Sequence, residues 1–208
     1  MKRFAFTMLE LVFVIIVIGI LAVLAMPNFN RNSLGEAAEQ VANHIRYTQH
    51  LAMVDDKFDD KNATWYITRW QIRFYESGNP DVYYYTIFTD KDQNQGADYG
   101  AGKTEVAIDP LTKLKFHISN SNKNMDLTNK FGIQSVVTSC LTSDGTHVTS
   151  NKGVLAFDNL GRPYNGVSNA TSPYQYLMTS DCNITLSHSD GNAIITIRPE
   201  TGYVSITY

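Results

Sequence analysis

The sequence lacks the features that mark several common functional classes. It has no basic run: 17 Lys and Arg face 20 Asp and Glu, and the formal net charge is −3. A small negative charge of this kind disfavours nucleic acid as a partner. The sequence also lacks GxSxG, HExxH and Gly-rich phosphate-binding motifs, so we expect no enzyme activity. A hydrolase built from Asp158 and His188 is the enzymatic alternative.

Cysteine is scarce as well. The two cysteines, Cys140 and Cys182, form neither a CxxC motif nor a metal-ligand spacing. They are either two unrelated buried thiols or one disulfide formed in an oxidising compartment. A bridge would close a loop of roughly 40 residues, which the chain-entropy account values at about 4 kcal/mol.

The sequence does contain one long apolar run near its N-terminus, from Phe6 to Met26. At 1.5 Å per residue, a helix of this length spans about 30 Å, the thickness of a bilayer core. Lys2 and Arg3 precede the run and no basic cluster follows at once. The positive-inside rule then predicts a single-pass inner-membrane protein with a cytoplasmic N-terminus and a periplasmic C-terminal domain. A signal peptide would have a shorter apolar region, and a plain signal-anchor is the other alternative.

One acid, Glu10, interrupts this apolar run. A carboxylate in hydrocarbon needs a partner, so it indicates a function, unless it lies near the membrane edge and reaches the headgroups.

The segment Ala5-Phe6-Thr7-Met8-Leu9-Glu10, followed by an apolar helix, resembles the prepilin signature of type IV pilins and type II secretion pseudopilins. In that family a membrane peptidase cuts before the Phe and N-methylates the new terminus. The resemblance implies cleavage between Ala5 and Phe6, methylation of Phe6, and a role for Glu10 in assembly. The family usually has Gly where this chain has Ala5.

The resemblance also implies partners and a function. The partners would be other pilins or pseudopilins, the prepilin peptidase and an inner-membrane assembly platform. The function would be that of a structural minor pseudopilin or minor pilin, in a secretion pseudopilus or a type IV pilus-like fibre. The alternative is a membrane-anchored periplasmic binding module that recognises a ligand, or DNA during uptake.

The rest of the chain predicts an α+β fold. Leu34, Ala38, Val41, Ile45 and Ala52 form an apolar stripe at helical spacing, so we expect one long helix over residues 6–54. From Thr64 the period changes to two, which predicts antiparallel strands, including Val82 to Thr89 and a closing hairpin around Pro199–Gly202. We therefore expect a long N-terminal helix packed on an antiparallel β-sheet domain, as in pilins.

This interpretation divides the chain into four parts. Residues 1–5 are a leader, 6–26 a transmembrane and assembly helix, 27–55 its amphipathic half, and 56–208 a periplasmic β-rich domain. Two late segments, Gly153–Pro163 and Ile195–Val204, resemble the final strand-and-turn and hairpin of H-type (FimT-like) minor pseudopilins. The major pseudopilin is the alternative, although its acidic C-terminal calcium loop is missing here.

One loop has the spacing of a calcium site. Its oxygen-bearing side chains alternate at Asp90, Asp92 and Asn94, and Asp98 follows after a Gly. Calcium loops use this spacing, but the Gly comes one residue late and no Glu stands at the closing position. A solvated Asp/Asn/Gly loop needs no ion, so we expect no cofactor and keep calcium as the alternative.

Overall fold

The computed structural model describes residues 7–25, 32–78, 81–100, 102–120, 122–141, 147–150 and 153–208. The chain divides into two compact units, Met1–Asn32 and Ser33–Tyr208. The first unit contains helix α1, Met8–Ala25. The second contains helix α2, Ser33–Val54, and all the described strands.

The predicted continuous helix over residues 6–54 is wrong. The structure has an 18-residue helix, α1, and a separate 22-residue helix, α2, in different compact units. Local signals in the sequence account for the division. Pro27 lacks the N–H that a helix interior requires, and Asn32 and Ser33 are residue types that favour the start of a new helix.

The predicted transmembrane helix is wrong too. Within the described ranges, no helix combines the length and the apolar character needed to cross a membrane. The prediction counted the whole run from Phe6 to Met26, whereas α1 has 18 residues and is about 27 Å long. The predicted location was that of a single-pass inner-membrane protein with a periplasmic domain. This prediction depended on the membrane span and is therefore also wrong.

The second unit is an antiparallel domain of two sheets rather than one. Its first sheet has the strand order β2-β1-β5-β6 and its second the order β4-β3-β7-β8-β9. The fold class is therefore a short helix followed by a two-sheet β domain. The strands are β1 Trp70–Ser77, β2 Val82–Thr89, β3 Ser135–Leu141, β4 His147–Ser150, β5 Val154–Phe157, β6 Pro163–Tyr164, β7 Cys182–His188, β8 Gly191–Ile197 and β9 Val204–Thr207; a short helix, α3 (Leu127–Phe131), precedes β3.

Helix α2 joins the two sheets through one core. All five residues of its predicted apolar stripe are buried. They pack in the same cluster as Ile72 and Phe74 of β1 and Ile195 and Ile197 of β8. Successive side chains of a strand point to opposite faces, so alternate residues of β1 and β8 lie on the face that packs against the helix.

Candidate functional site

The first candidate site is the start of α1, where Thr7 fixes the position of Glu10. The Glu10 N–H donates to the Thr7 carbonyl oxygen at 3.1 Å and to the Thr7 hydroxyl at 3.3 Å. Thr7 is therefore the N-cap and Glu10 the third residue of the helix, and the Thr7 hydroxyl makes the N-cap bond to the Glu10 N–H. The carboxylate of Glu10 also lies at the positive end of the helix dipole, where negative charge is stabilised.

Helix α1 is apolar on every side. Its sequence, MLELVFVIIVIGILAVLA, contains no charged residue besides Glu10. Every side chain from Thr7 to Leu21 is exposed, among them Leu9 at 82% and Phe13 at 66%. A contiguous apolar surface of this extent marks an interaction site. The predicted processing residues, Ala5 and Phe6, lie outside the described residues.

The two late segments singled out in the sequence meet at the C-terminal half of α2. The side-chain amide of Gln49 donates to the carbonyl oxygens of Gly161 and Thr201, both at 2.9 Å. Gly161 belongs to the turn after β5, and Thr201 belongs to the β8–β9 hairpin. Gln49 therefore ties both turns to one helix, a link that no pattern in the sequence indicated.

The turn after β5 is organised by a buried carboxylate, Asp158, which is 3% exposed. Its oxygens accept hydrogen bonds from the backbone N–H groups of Leu160 and Arg162. They also accept from the Arg162 guanidinium at 2.8 Å and from the Tyr164 hydroxyl at 3.1 Å. These bonds satisfy a charge that burial would otherwise make costly.

The hydrolase alternative predicted that His188 acts together with Asp158. Its Nε2 lies 3.2 Å from the Ser33 hydroxyl, and its Nδ1 accepts the Asp190 N–H at 3.1 Å. The same Nδ1 also lies 3.5 Å from the Asp190 carboxylate, so the acid beside His188 is Asp190 rather than the predicted Asp158. Asp158 has a separate set of partners, among them Arg162 and Tyr164, and none of its hydrogen bonds within the described residues reaches His188.

The acidic loop after β2 brings together only part of the predicted calcium set. Carboxylate oxygens of Asp90, Asp92 and Glu105 lie within 4.8 Å of one another. Asp98 instead pairs with Lys103 at 2.6 Å, which lowers the pKa of the Asp98 carboxyl. The Asn94 side-chain oxygen accepts the Gly96 N–H.

Hydrogen bonds inside the loop already occupy these carboxylates. Asp90 accepts the N–H groups of Asn94 and Gln95 at 3.0 and 2.9 Å, and burial raises its pKa. Glu105 accepts from Lys91, Asp92 and Asp98 at 2.7, 3.2 and 3.0 Å. Carboxylate oxygens are what calcium prefers, but the acids here have a clear role in closing the loop. The sequence pattern did not indicate Glu105, because it lies too far along the chain from Asp90 to belong to the same calcium loop.

The two cysteines are joined in a disulfide in the structure. The register of β3 and β7 pairs Ser139 with Asn183, and the next pair in that register is Cys140 with Cys182. Both residues are buried, with at most 1% of their surface exposed. The bridge therefore joins neighbouring strands inside the core.

Comparison with known proteins adds no relative. No protein-family model, no curated protein and no solved structure matches this chain.

Proposed function

We propose that this chain is a structural subunit of a pilin-like fibre, a minor pseudopilin or minor pilin processed between Ala5 and Phe6. The observation that carries the proposal is the single carboxylate, Glu10, in the first turn of an exposed helix that is otherwise apolar. In this account α1 is the assembly element, and the two-sheet unit is the head that each subunit contributes to the fibre.

The apolar character of α1 supports a role in assembly. A helix that is apolar on all sides is buried in its working state, since its exposed surface is unfavourable in water. A bundle of α1 helices from several subunits would bury that surface. The helix also carries Gly19, which leaves open space next to its backbone and allows a neighbouring helix to approach closely.

Glu10 gives the bundle a register. Cleavage before Phe6 would create an amine two residues before Met8, the first residue of α1. Inside an apolar bundle, both the amine and the carboxylate are costly unless they pair. Pairing the Phe6 amine of one subunit with the Glu10 carboxylate of the next would fix the stagger between neighbouring helices.

The mass of the mature chain tests the proposed processing. Chain purified from cells that contain a prepilin peptidase should begin at N-methylated Phe6 when it is measured by intact-mass and peptide mass spectrometry. An Ala5→Gly variant serves as a control, because it restores the residue usual in the family. It should yield the same mature mass, with an equal or larger processed fraction.

A chain that keeps Met1 in cells where a known prepilin is processed would contradict the proposal. The same holds for cleavage at another bond, because the new amine would then lie at the wrong distance from Glu10.

A further inference from the structure

A stripe of buried polar side chains crosses the first sheet on the face opposite the main core. Ile72 and Phe74 of β1 point into that core, so Gln71 and Arg73 point to the other face. Arg69, just before β1, and Thr86, which is paired with Arg73 across the sheet, complete what we call the Arg–Gln stripe. Gln71 and Thr86 are fully buried and Arg69 is 3% exposed.

The Arg–Gln stripe holds an unusual group of unpaired atoms. Among the described residues, the buried side-chain nitrogens and oxygens that have no hydrogen-bond partner all belong to it. Both amide atoms of Gln71 are unpaired. Buried polar groups are rarely left without a partner, because each one loses its hydrogen bonds to water. The five atoms are Arg69 Nε, Gln71 Nε2, Gln71 Oε1, Arg73 Nε and Thr86 Oγ1.

The stripe is covered by a compact surface loop, residues 165–176. Its ends are joined, since Tyr164 bridges Leu177 and the Asn165 N–H donates to the Tyr176 carbonyl at 2.9 Å. A loop whose ends meet and that bonds within itself is an Ω-loop, a form that often has a function. Its Val167 packs with Ala156 and Tyr164, and its Ala170 packs with Tyr66 and Ile67, so opening the loop would also expose these apolar contacts.

Few polar contacts attach this Ω-loop to the stripe. Arg69 Nη1 donates to the Pro173 carbonyl at 2.8 Å, and Arg73 Nη2 lies 3.2 Å from the Ser168 hydroxyl. Arg73 also donates to the Gln95 carbonyl at 2.6 Å. The two arginines thus contact the Ω-loop through their terminal Nη nitrogens, while their Nε–H groups have no hydrogen-bond partner.

The chemistry of the stripe fits an anion. It offers two guanidinium groups and an amide N–H₂, and its four members include no acid. The nearby Asp158 carboxylate already accepts hydrogen bonds from Arg162 and Tyr164. Carboxylates are the natural acceptors for guanidinium N–H groups, and Gln71 Oε1 requires a donor such as a hydroxyl. Four residues of extended chain separate Arg69 from Arg73 by about 13 Å, a span that favours more than one carboxylate.

We propose that the Arg–Gln stripe binds a small hydroxy-polycarboxylate and that residues 165–176 form the lid over it. The lid opens by releasing Pro173 and Ser168 from the arginines, and the ligand then pairs the five unpaired atoms. This site is independent of fibre assembly, so the failure of either proposal leaves the other standing.

Citrate titration of the full chain, kept in solution with a mild detergent, tests the site. Isothermal titration at constant ionic strength should show saturable binding. Tricarballylate, which lacks only the hydroxyl of citrate, should bind more weakly. Hydrogen exchange of residues 165–176 should be faster than that of β1 and β5 in the free protein, and citrate should slow it.

Gln71→Leu is the decisive variant. It should weaken citrate binding by about tenfold or more, since the amide contacts are lost, while leaving the thermal midpoint equal or higher. Gln134→Leu makes the same change at an exposed position and should leave binding unchanged. If Gln71→Leu does not fold, Thr86→Val provides the same comparison, because it removes a hydroxyl at nearly constant volume.

Three results would overturn the proposal. They are the absence of saturable citrate binding, binding of equal strength in Gln71→Leu or Thr86→Val, and exchange in residues 165–176 that citrate does not alter.

Discussion

At the scale of single residues, Gly202 shows how closely the two late turns approach α2. Its φ is +61°, and a Cβ at this position would lie 2.4 Å from Gln49 Nε2 and 2.5 Å from the Gly161 carbonyl oxygen. The closing hairpin predicted around Pro199–Gly202 is confirmed, since β8 and β9 pair on either side of it. The close approach of Gln49 could not be predicted, since it joins residues far apart in the chain.

We predict that Gly202→Ala lowers the free energy of unfolding by about 2 kcal/mol or more, because the new methyl group meets backbone as well as a side chain. Gly102→Ala is the matched control: its φ is +78°, but no atom lies within 4 Å of the added Cβ. Urea denaturation compares the two. Equal losses would show that backbone strain alone matters and that the contact with Gln49 and Gly161 does not.

A second residue-scale feature is the buried histidine His44. Its Nδ1 lies 2.5 Å from the Tyr85 hydroxyl, which also accepts a hydrogen bond from Gln40 at 2.7 Å. Burial lowers the pKa of His44 to about 4; Asp109 raises it and Lys130 lowers it by smaller amounts. The folded chain therefore binds fewer protons than the unfolded chain between pH 4 and pH 6.5.

It follows that the His44 contribution is fully present above pH 6.5 and is lost as the pH falls toward 4. We predict that the stability advantage of the natural chain over His44→Gln shrinks by about 1 to 3 kcal/mol between pH 7 and pH 4.5. Urea denaturation across this range measures it. His117, whose pKa burial also lowers to about 4, remains in both chains and cancels from the difference. Parallel stability curves would contradict the assignment.

At the scale of elements, the acidic loop illustrates how a carboxylate can organise a long connection. Glu105 is 4% exposed and accepts three backbone N–H groups from the loop after β2. We predict that Glu105→Gln lowers the free energy of unfolding by about 1 to 3 kcal/mol, because charge-assisted hydrogen bonds are lost. Asp98→Asn, which alters an exposed pair with Lys103, should have a much smaller effect in the same urea measurement.

Calcium binding is the alternative role of this loop, and it can be tested by thermal denaturation with and without calcium. Because backbone N–H groups already occupy the carboxylates, we expect the thermal midpoint in calcium to equal that in EGTA. A saturable rise with calcium that Glu105→Gln abolishes would show instead that Asp90, Asp92 and Glu105 form an ion site.

Local patterns predicted some elements well and others poorly. Strand β2 has the predicted bounds, Val82–Thr89, because its alternation and flanking turn are local signals. The strand expected from Thr64 begins only at Trp70, since Trp65–Thr68 form a 3₁₀ turn. The β6 strand, Pro163–Tyr164, was missed because two residues carry no period.

The errors at larger scale have one physical origin. An apolar run and an amphipathic stripe predict two helices, but whether they join depends on the few residues between them. One helix was expected over residues 6–54, whereas the structure begins a new helix at Ser33. Likewise, hairpins predict antiparallel pairs but not how β5 joins β1 in a first sheet while β7 joins β3 in a second.

At the scale of the whole molecule, the two compact units have different surfaces. The unit Ser33–Tyr208 is a closed domain with one main core, a disulfide between neighbouring strands, and turns tied to α2. The unit Met1–Asn32 contains a helix whose apolar surface is exposed. In the proposed fibre, the helices of neighbouring pilin subunits would cover that surface.

The charge of Glu10 is the central claim, and Glu10→Gln tests it most directly. The Thr7 hydroxyl bonds the backbone N–H of residue 10, which Gln keeps, so the variant removes the charge and leaves the N-cap intact. Thr7→Ala is the control, because it removes the cap and keeps the carboxylate. The measurement is the amount of each chain in sheared, sedimented fibres, relative to its total in the cell. We predict that Glu10→Gln falls at least about tenfold below the natural chain, as expected when a buried amine loses its partner, while Thr7→Ala stays close to it. Incorporation of Glu10→Gln at the natural level would contradict the account.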